Sequence, residues 1–238
     1  MTNTFGYGGL SERGPSRALW GNEFTNIKND PNRGVLFFDD FENHPAHISD
    51  QRIGKYSTYI DTGVTMKSSP VAVLSNGESG ILEVAGYDTD GYEGHIETGG
   101  GSGTFMEISD TAGEEFGVYF ECRIKKSSIA DNKTGFFVGL SEEGVAASAA
   151  LVATTGVLVT TKDFVGFHCT GVVGATVNAV YQAASQTPQT NLAAAATMVA
   201  DTWVKLGFRY QPWADTTKRI AWFVNGVEKS TYVTGTQL

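Results

Sequence analysis

Apolar side chains recur at every second position in several stretches of this chain, and no stretch of useful length repeats them at helical spacing. In FGVYFECRIK, residues 116 to 125, Val118, Phe120, Cys122 and Ile124 fall on one face and Tyr119, Glu121, Arg123 and Lys125 on the other. That period of two is the signature of a half-buried antiparallel strand. WVKLGFRY repeats it, with Val204, Leu206, Phe208 and Tyr210 alternating with Trp203, Lys205, Gly207 and Arg209. RIAWFVNGVE then places Asn225-Gly226 between apolar runs, the pair best suited to the positive φ angles of a type I′ hairpin. TGFFVGLS (Thr134 to Ser141), VGFHC around Phe167 and the run Val177 to Tyr181 read as further strands, and several short β-prone runs lie between Tyr56 and Tyr87. Ala193 to Thr197 is Ala-rich and reads as a single helical turn.

Composition agrees. Gly accounts for 29 of 238 residues while charged residues make up only 18%, so turns are frequent and charged helical faces scarce. With 41% hydrophobic content and this length, one substantial core is expected. The predicted fold is all-β: a two-sheet antiparallel sandwich of the jelly-roll or concanavalin-like type, covering residues 35–238 and starting with VLFFDDF (Val35 to Phe41) as its first strand.

Residues 1–34 have no sustained period of either kind but carry isolated large side chains, among them Phe5, Tyr7, Leu10, Leu19, Trp20, Phe24 and Ile27, between glycines and prolines. They read as an extended N-terminal arm. Aromatics scattered through such a segment imply that it orders by docking, either on a neighbouring subunit or over its own domain.

A net charge of -9 and a pI near 4.9 argue against phosphate neutralisation, so nucleic acid is not an expected partner. The first ten residues lack the basic and apolar regions of a secretory signal. The most apolar stretch, Val145 to Val159, is interrupted by Ser148, Thr154, Thr155 and Gly156 and falls short of a membrane span. A soluble protein made in a cytoplasm is expected. Cys122 and Cys169 each sit in a strand-like alternation and are expected to be small core residues.

Candidate chemistry is sparse. Glu121 and Glu97 each stand alone on their strands, without the second carboxylate that glycoside hydrolysis needs about 5 Å away. DTDGYEG gathers Asp88, Asp90 and Glu93 around Gly91, a weak calcium-loop likeness that would need backbone carbonyls to complete its shell. His44 and His47 stand near Asp50 in a Pro-containing loop with no third His or Cys close by. The sequence beside His95 holds no other His or Cys, and His168 reads as a structural or outward-facing side chain. No phosphate loop and no nucleophile elbow are present, so no catalytic residue, cofactor or metal is expected. Tyr56, Tyr59, Tyr87, Tyr92 and Trp213 could line a sugar-binding groove by ring stacking.

The ordered set FFDDF, GVYFECRIKKSSI, GFFVGLSEE, FVGFHC, DTWVKLGFRY and AWFVNGV resembles the laminin G-like, concanavalin-like domains of structural proteins of tailed bacteriophages. The resemblance spans about Val35 to Val227 and rests on the order of short motifs, none diagnostic alone. It implies a non-enzymatic virion protein, a capsid decoration or cement protein on the particle exterior. Phe5, Tyr7, Leu10, Trp20 and Phe24 would then be the arm's contacts with the major capsid protein. Neighbouring copies of the chain would be further partners, as a trimer or dimer. The alternative is a carbohydrate-binding adhesion module of a head or tail fibre. Domains of this kind continue beyond the NGV hairpin with further strands, so the sandwich is expected to lack its last strand because the chain is incomplete, or to have a final strand that is short or supplied by a neighbour.

Overall fold

The computed structural model describes residues 14–38, 56–60, 64–69, 81–86, 94–98, 106, 108, 116–142, 158, 162–183 and 189–238. Two four-stranded antiparallel sheets packed face to face make the all-β sandwich. The first has the order β12-β11-β10-β5, from β5 (Val118–Ile124), β10 (Val204–Tyr210), β11 (Ile220–Val224) and β12 (Val227–Val233). The second runs β6-β7-β8-β9, from β6 (Phe136–Ser141), β7 (Phe164–Cys169), β8 (Thr176–Gln182) and β9 (Gln189–Thr197).

The alternation read in the sequence sets the inner face. Val118, Leu206, Phe208, Tyr210, Ile220, Trp222 and Val224 from the first sheet meet Val165, Phe167, Val177 and Ala179 from the second. Phe120, Cys122 and Ile124 pack against the same cluster. Trp222 is the hinge pin: its ring stands edge-on to Phe167 at 5.5 Å and to Phe208 at 6.0 Å. Its indole Nε1 donates to Asn191 Oδ1 at 2.6 Å, and Asn191 Nδ2 donates to the Tyr232 carbonyl at 3.2 Å. One side chain of β9 therefore ties the edge of one sheet to that of the other and satisfies a buried indole that would otherwise lose its hydrogen bond.

Asn225 and Gly226, at φ 50° and 74°, form the expected tight turn between β11 and β12, with Val224 opposite Val227. Both cysteines are free thiols; Cys169 is fully buried and Cys122 packs against the core, as expected of small core residues.

Three expectations are corrected. Ala193 to Thr197 belongs to strand β9, not to a helical turn. One turn fixes several dihedrals for a single hydrogen bond, whereas the edge of β8 offers a ladder, and Asn178 Oδ1 accepts from Ala194 N where the register shifts. Val35 to Phe38, read as the start of the first strand, do not form a strand, and Val35 and Phe38 stay 75% and 52% exposed. An apolar run makes a strand only where a partner edge is available; Asp39 to Phe41 lie outside the described residues. Within the supposedly extended arm, Arg17–Trp20 (α1) and Glu23–Asn29 (α2) are short helices, followed by a 3-10 turn at Pro31–Arg33.

The chain divides into two compact units. Both four-stranded sheets belong to the unit made of Met1–Leu36, Met106–Ser141 and Thr160–Leu238. The second unit, Phe37–Phe105 with Glu142–Val159, holds two antiparallel ribbons: β1 (Tyr56–Ile60) with β4 (Gly94–Thr98), and β2 (Val64–Ser69) with β3 (Ile81–Gly86). Among the described residues no helix is long and apolar enough to cross a membrane.

Candidate functional site

The outer face of the β12-β11-β10-β5 sheet would, by the sequence pattern, be its solvent side. It is instead covered by the segment from Gly14 to Trp20. Leu19 of α1 is fully buried there, packed with Ala221 and Phe223, while Trp20, Tyr119 and Tyr232 border the cluster. Gly207 makes this possible: a Cβ at that position would collide with Leu19 Cδ1 and with the Phe120 carbonyl oxygen. A glycine in a strand interior often marks such a close approach.

Polar groups on the same face fix the segment through five hydrogen bonds. The Glu121 carboxylate accepts from the Ser16 backbone N–H at 2.8 Å and from Trp20 Nε1 at 3.2 Å through one oxygen. Lys205 Nζ donates to the Gly14 carbonyl at 2.6 Å. Arg209 Nη1 donates to the carbonyls of Ala18 and Leu19, each at 3.3 Å, placing a cation on carbonyls that the short helix α1 leaves without intrahelical partners. The same guanidinium lies 5.2 Å over the Phe223 ring and 3.6 Å from the Glu228 carboxylate. Hydrogen bonds to ionised groups contribute about 1.5–3 kcal/mol each where partly buried, so this is a firm clamp.

An aromatic row continues the site. Trp20 stacks on Tyr119 at 5.4 Å with 20° between planes, and Phe24 stands edge-on to Trp20 at 5.7 Å. The Tyr119 hydroxyl accepts from Gln211 Nε2, and burial pushes its pKa above the ordinary tyrosine value. Beyond Tyr119 lies Gly117, where an added Cβ would stand 2.6 Å from Trp213 Cη2, so the indole lies directly on bare backbone. Trp213 is nevertheless 64% exposed. No protein-family model, curated protein or solved structure matches this chain.

Of the residues singled out from the sequence, Trp20 and Phe24 lie in this row, packed within the chain itself. Phe5, Tyr7 and Leu10, the trio Asp88, Asp90 and Glu93, the loop of His44, His47 and Asp50, and Tyr87 and Tyr92 lie outside the described residues. Tyr56 and Tyr59 fall in β1, their side chains outside the description. Glu97 and His95 sit on β4, and His168 is buried in β7. Among the described residues no three His, Cys, Asp or Glu side chains gather as metal ligands.

Glu121, read as part of a solvated face, turns out to be the clamp's acceptor, and Leu19, Lys205 and Arg209 were not assigned to any site. A signal for them existed. IAWFV, residues 220 to 224, is apolar at every position, which marks a strand covered on both faces, and Gly207 interrupts the outward set of the neighbouring strand.

Proposed function

We infer that this chain is a non-enzymatic structural protein of a tailed-phage virion, a capsid decoration or cement protein of the laminin G-like, concanavalin-like kind. The observation that carries the reading is the clamp at Gly14 to Trp20. It fixes the origin of residues 1–13, with Phe5, Tyr7 and Leu10, on one face of a rigid sandwich. A short aromatic segment leaving a fixed point is suited to docking on a neighbouring subunit, because its point of departure from the domain is set in advance. Three large apolar side chains, each contributing about 1.5–3 kcal/mol when buried, suffice for attachment repeated over many sites of a particle. In this reading the partners are the major capsid protein and adjacent copies of the chain. Five of the six motifs of the phage resemblance fall on β5, β6, β7, β10 and β11, strands of the platform, and FFDDF does not.

Deleting residues 2–13 while keeping the clamp tests the proposal on tailed-phage capsids that lack this chain. The truncated protein is expected to keep its melting temperature and to lose capsid occupancy; full occupancy after truncation overturns arm-mediated decoration.

Trp213 supports a second reading, a carbohydrate-binding adhesion module. A large ring held against a glycine and still 64% exposed offers a surface on which a sugar can stack. If a glycan array shows binding, Trp213→Ala should weaken it about tenfold; unchanged affinity removes Trp213 from the site.

A further inference from the structure

Lysine is costly to bury, because its ammonium must give up water. Lys126, just past the end of β5, is only 6% exposed. Its Nζ donates to the Gly174 carbonyl at 2.7 Å, and its other close neighbour is the sulfur of Cys169 at 3.6 Å. Cys169 is the last residue of β7 and is fully buried. Carbonyl oxygens of Thr170, Val173 and Gly174 approach its sulfur at 3.7, 3.9 and 3.5 Å. β5 and β7 belong to opposite sheets, so this amine and this thiol face each other across the sandwich.

We propose that Lys126 and Cys169 form a modification site at which dioxygen joins Nζ to Sγ through a single oxygen atom, a reversible N–O–S cross-link between the two sheets. In the reaction the neutral amine loses one N–H and the thiol its S–H. The O–O bond breaks, N–O and O–S bonds form, and the second oxygen leaves as water with both hydrogens. Nitrogen and sulfur each give up two electrons, which together reduce the two oxygen atoms. A lysine that starts as ammonium first releases its extra proton.

Three features of the geometry favour this outcome over other thiol oxidations. The amine is the nucleophile in contact with the sulfur, so a sulfur oxidised there meets nitrogen first. The ring of carbonyl oxygens disfavours the anionic sulfinic and sulfonic acids higher on the oxidation ladder. An inserted oxygen also spans 3.6 Å with less displacement of two packed strands than a direct S–N bond requires. Dioxygen is small and apolar, so the buried position does not bar it. The cross-link closes a loop between residues 43 positions apart, and it stabilises as a disulfide does, by restricting the unfolded chain.

The test uses the full chain purified with reductant and divided between reducing and air-equilibrated buffer. Peptide mass spectrometry of the aerated sample should show the Lys126 and Cys169 peptides joined, with one oxygen gained and two hydrogens lost. Dithiothreitol should separate them. Cys122→Ser should keep the cross-link, and Lys126→Met should lose it. The oxidised protein should melt about 5 to 10 °C above the reduced one, a difference that dithiothreitol abolishes. The proposal is overturned if Cys169 remains fully alkylatable after aeration, if it appears as a disulfide with Cys122 or as an oxo-acid beside an unmodified Lys126, or if the joined peptides lack the extra oxygen.

Discussion

Glu121 shows how much one side chain on a nominally solvated strand face can carry. Its carboxylate accepts from both Ser16 N and Trp20 Nε1, so Glu121→Ala strands two donors at once. Urea denaturation of that variant should show a loss of about 1.5–3 kcal/mol, and hydrogen exchange at Ser16 should accelerate. The neighbouring residue predicts a pH dependence. Burial, reinforced by the negative charge of Glu121, pushes the Cys122 thiol from the ordinary 9.0 up to about 12. The folded state therefore keeps a proton that the unfolded thiol gives up. Below about pH 9 neither state is ionised and the native contribution is complete; above it, stability declines until the folded thiol ionises near pH 12. Subtracting Cys122→Ala from the parent protein should isolate a slope of about 1.4 kcal/mol per pH unit across that window. Cys169 and Tyr119, whose values are also raised by burial, act in the same direction in both proteins and cancel in the difference.

At the scale of elements, α1 exists because the sheet below accommodates it. Four residues cannot hold a helix unaided, since nucleation alone is unfavourable. Leu19 in the hollow over Gly207, with Arg209 on the final carbonyls, supplies what the helix lacks. Gly207→Ala should therefore displace α1 or bend β10 and β5 apart, costing about 1–3 kcal/mol by thermal melting. In a Leu19→Ala background the penalty should shrink, because one of the two colliding groups is gone; purely additive effects would show that the helix does not press on this strand. β11 makes the same point from below. Its alternate residues Ile220, Trp222 and Val224 face the inter-sheet core, while Ala221 and Phe223 face the segment laid over the sheet.

Over the whole molecule, the N-terminal region divides by role. Residues 14–20 are a third layer on the sandwich, and the proposed function assigns the contact with a neighbouring subunit to residues 1–13. Removing residues 2–33 should lower the melting temperature well below that of the protein lacking only residues 2–13, because the longer cut exposes Phe223 and leaves the Glu121 carboxylate without its two donors. Equal melting temperatures would mean that the clamp adds no stability. Much of this architecture could be read without coordinates. The alternation in residues 118–124 and 204–210 fixed which side chains face the core, since a strand turns successive residues to opposite sides, and Asn225-Gly226 specified its hairpin through local backbone preference alone. Strand assignment failed at Val35 to Phe38, where an apolar run alone did not make a strand, and at Ala193 to Thr197, where helical propensity was overruled by the partner edge of β8. What only the tertiary structure decided was the fate of the outward faces. Whether Glu121, Lys205 and Arg209 meet water or a folded-back segment depends on residues about a hundred or more positions away. No local period encodes that distance: the sequence determines which face of a strand is apolar, and the fold determines what covers the other.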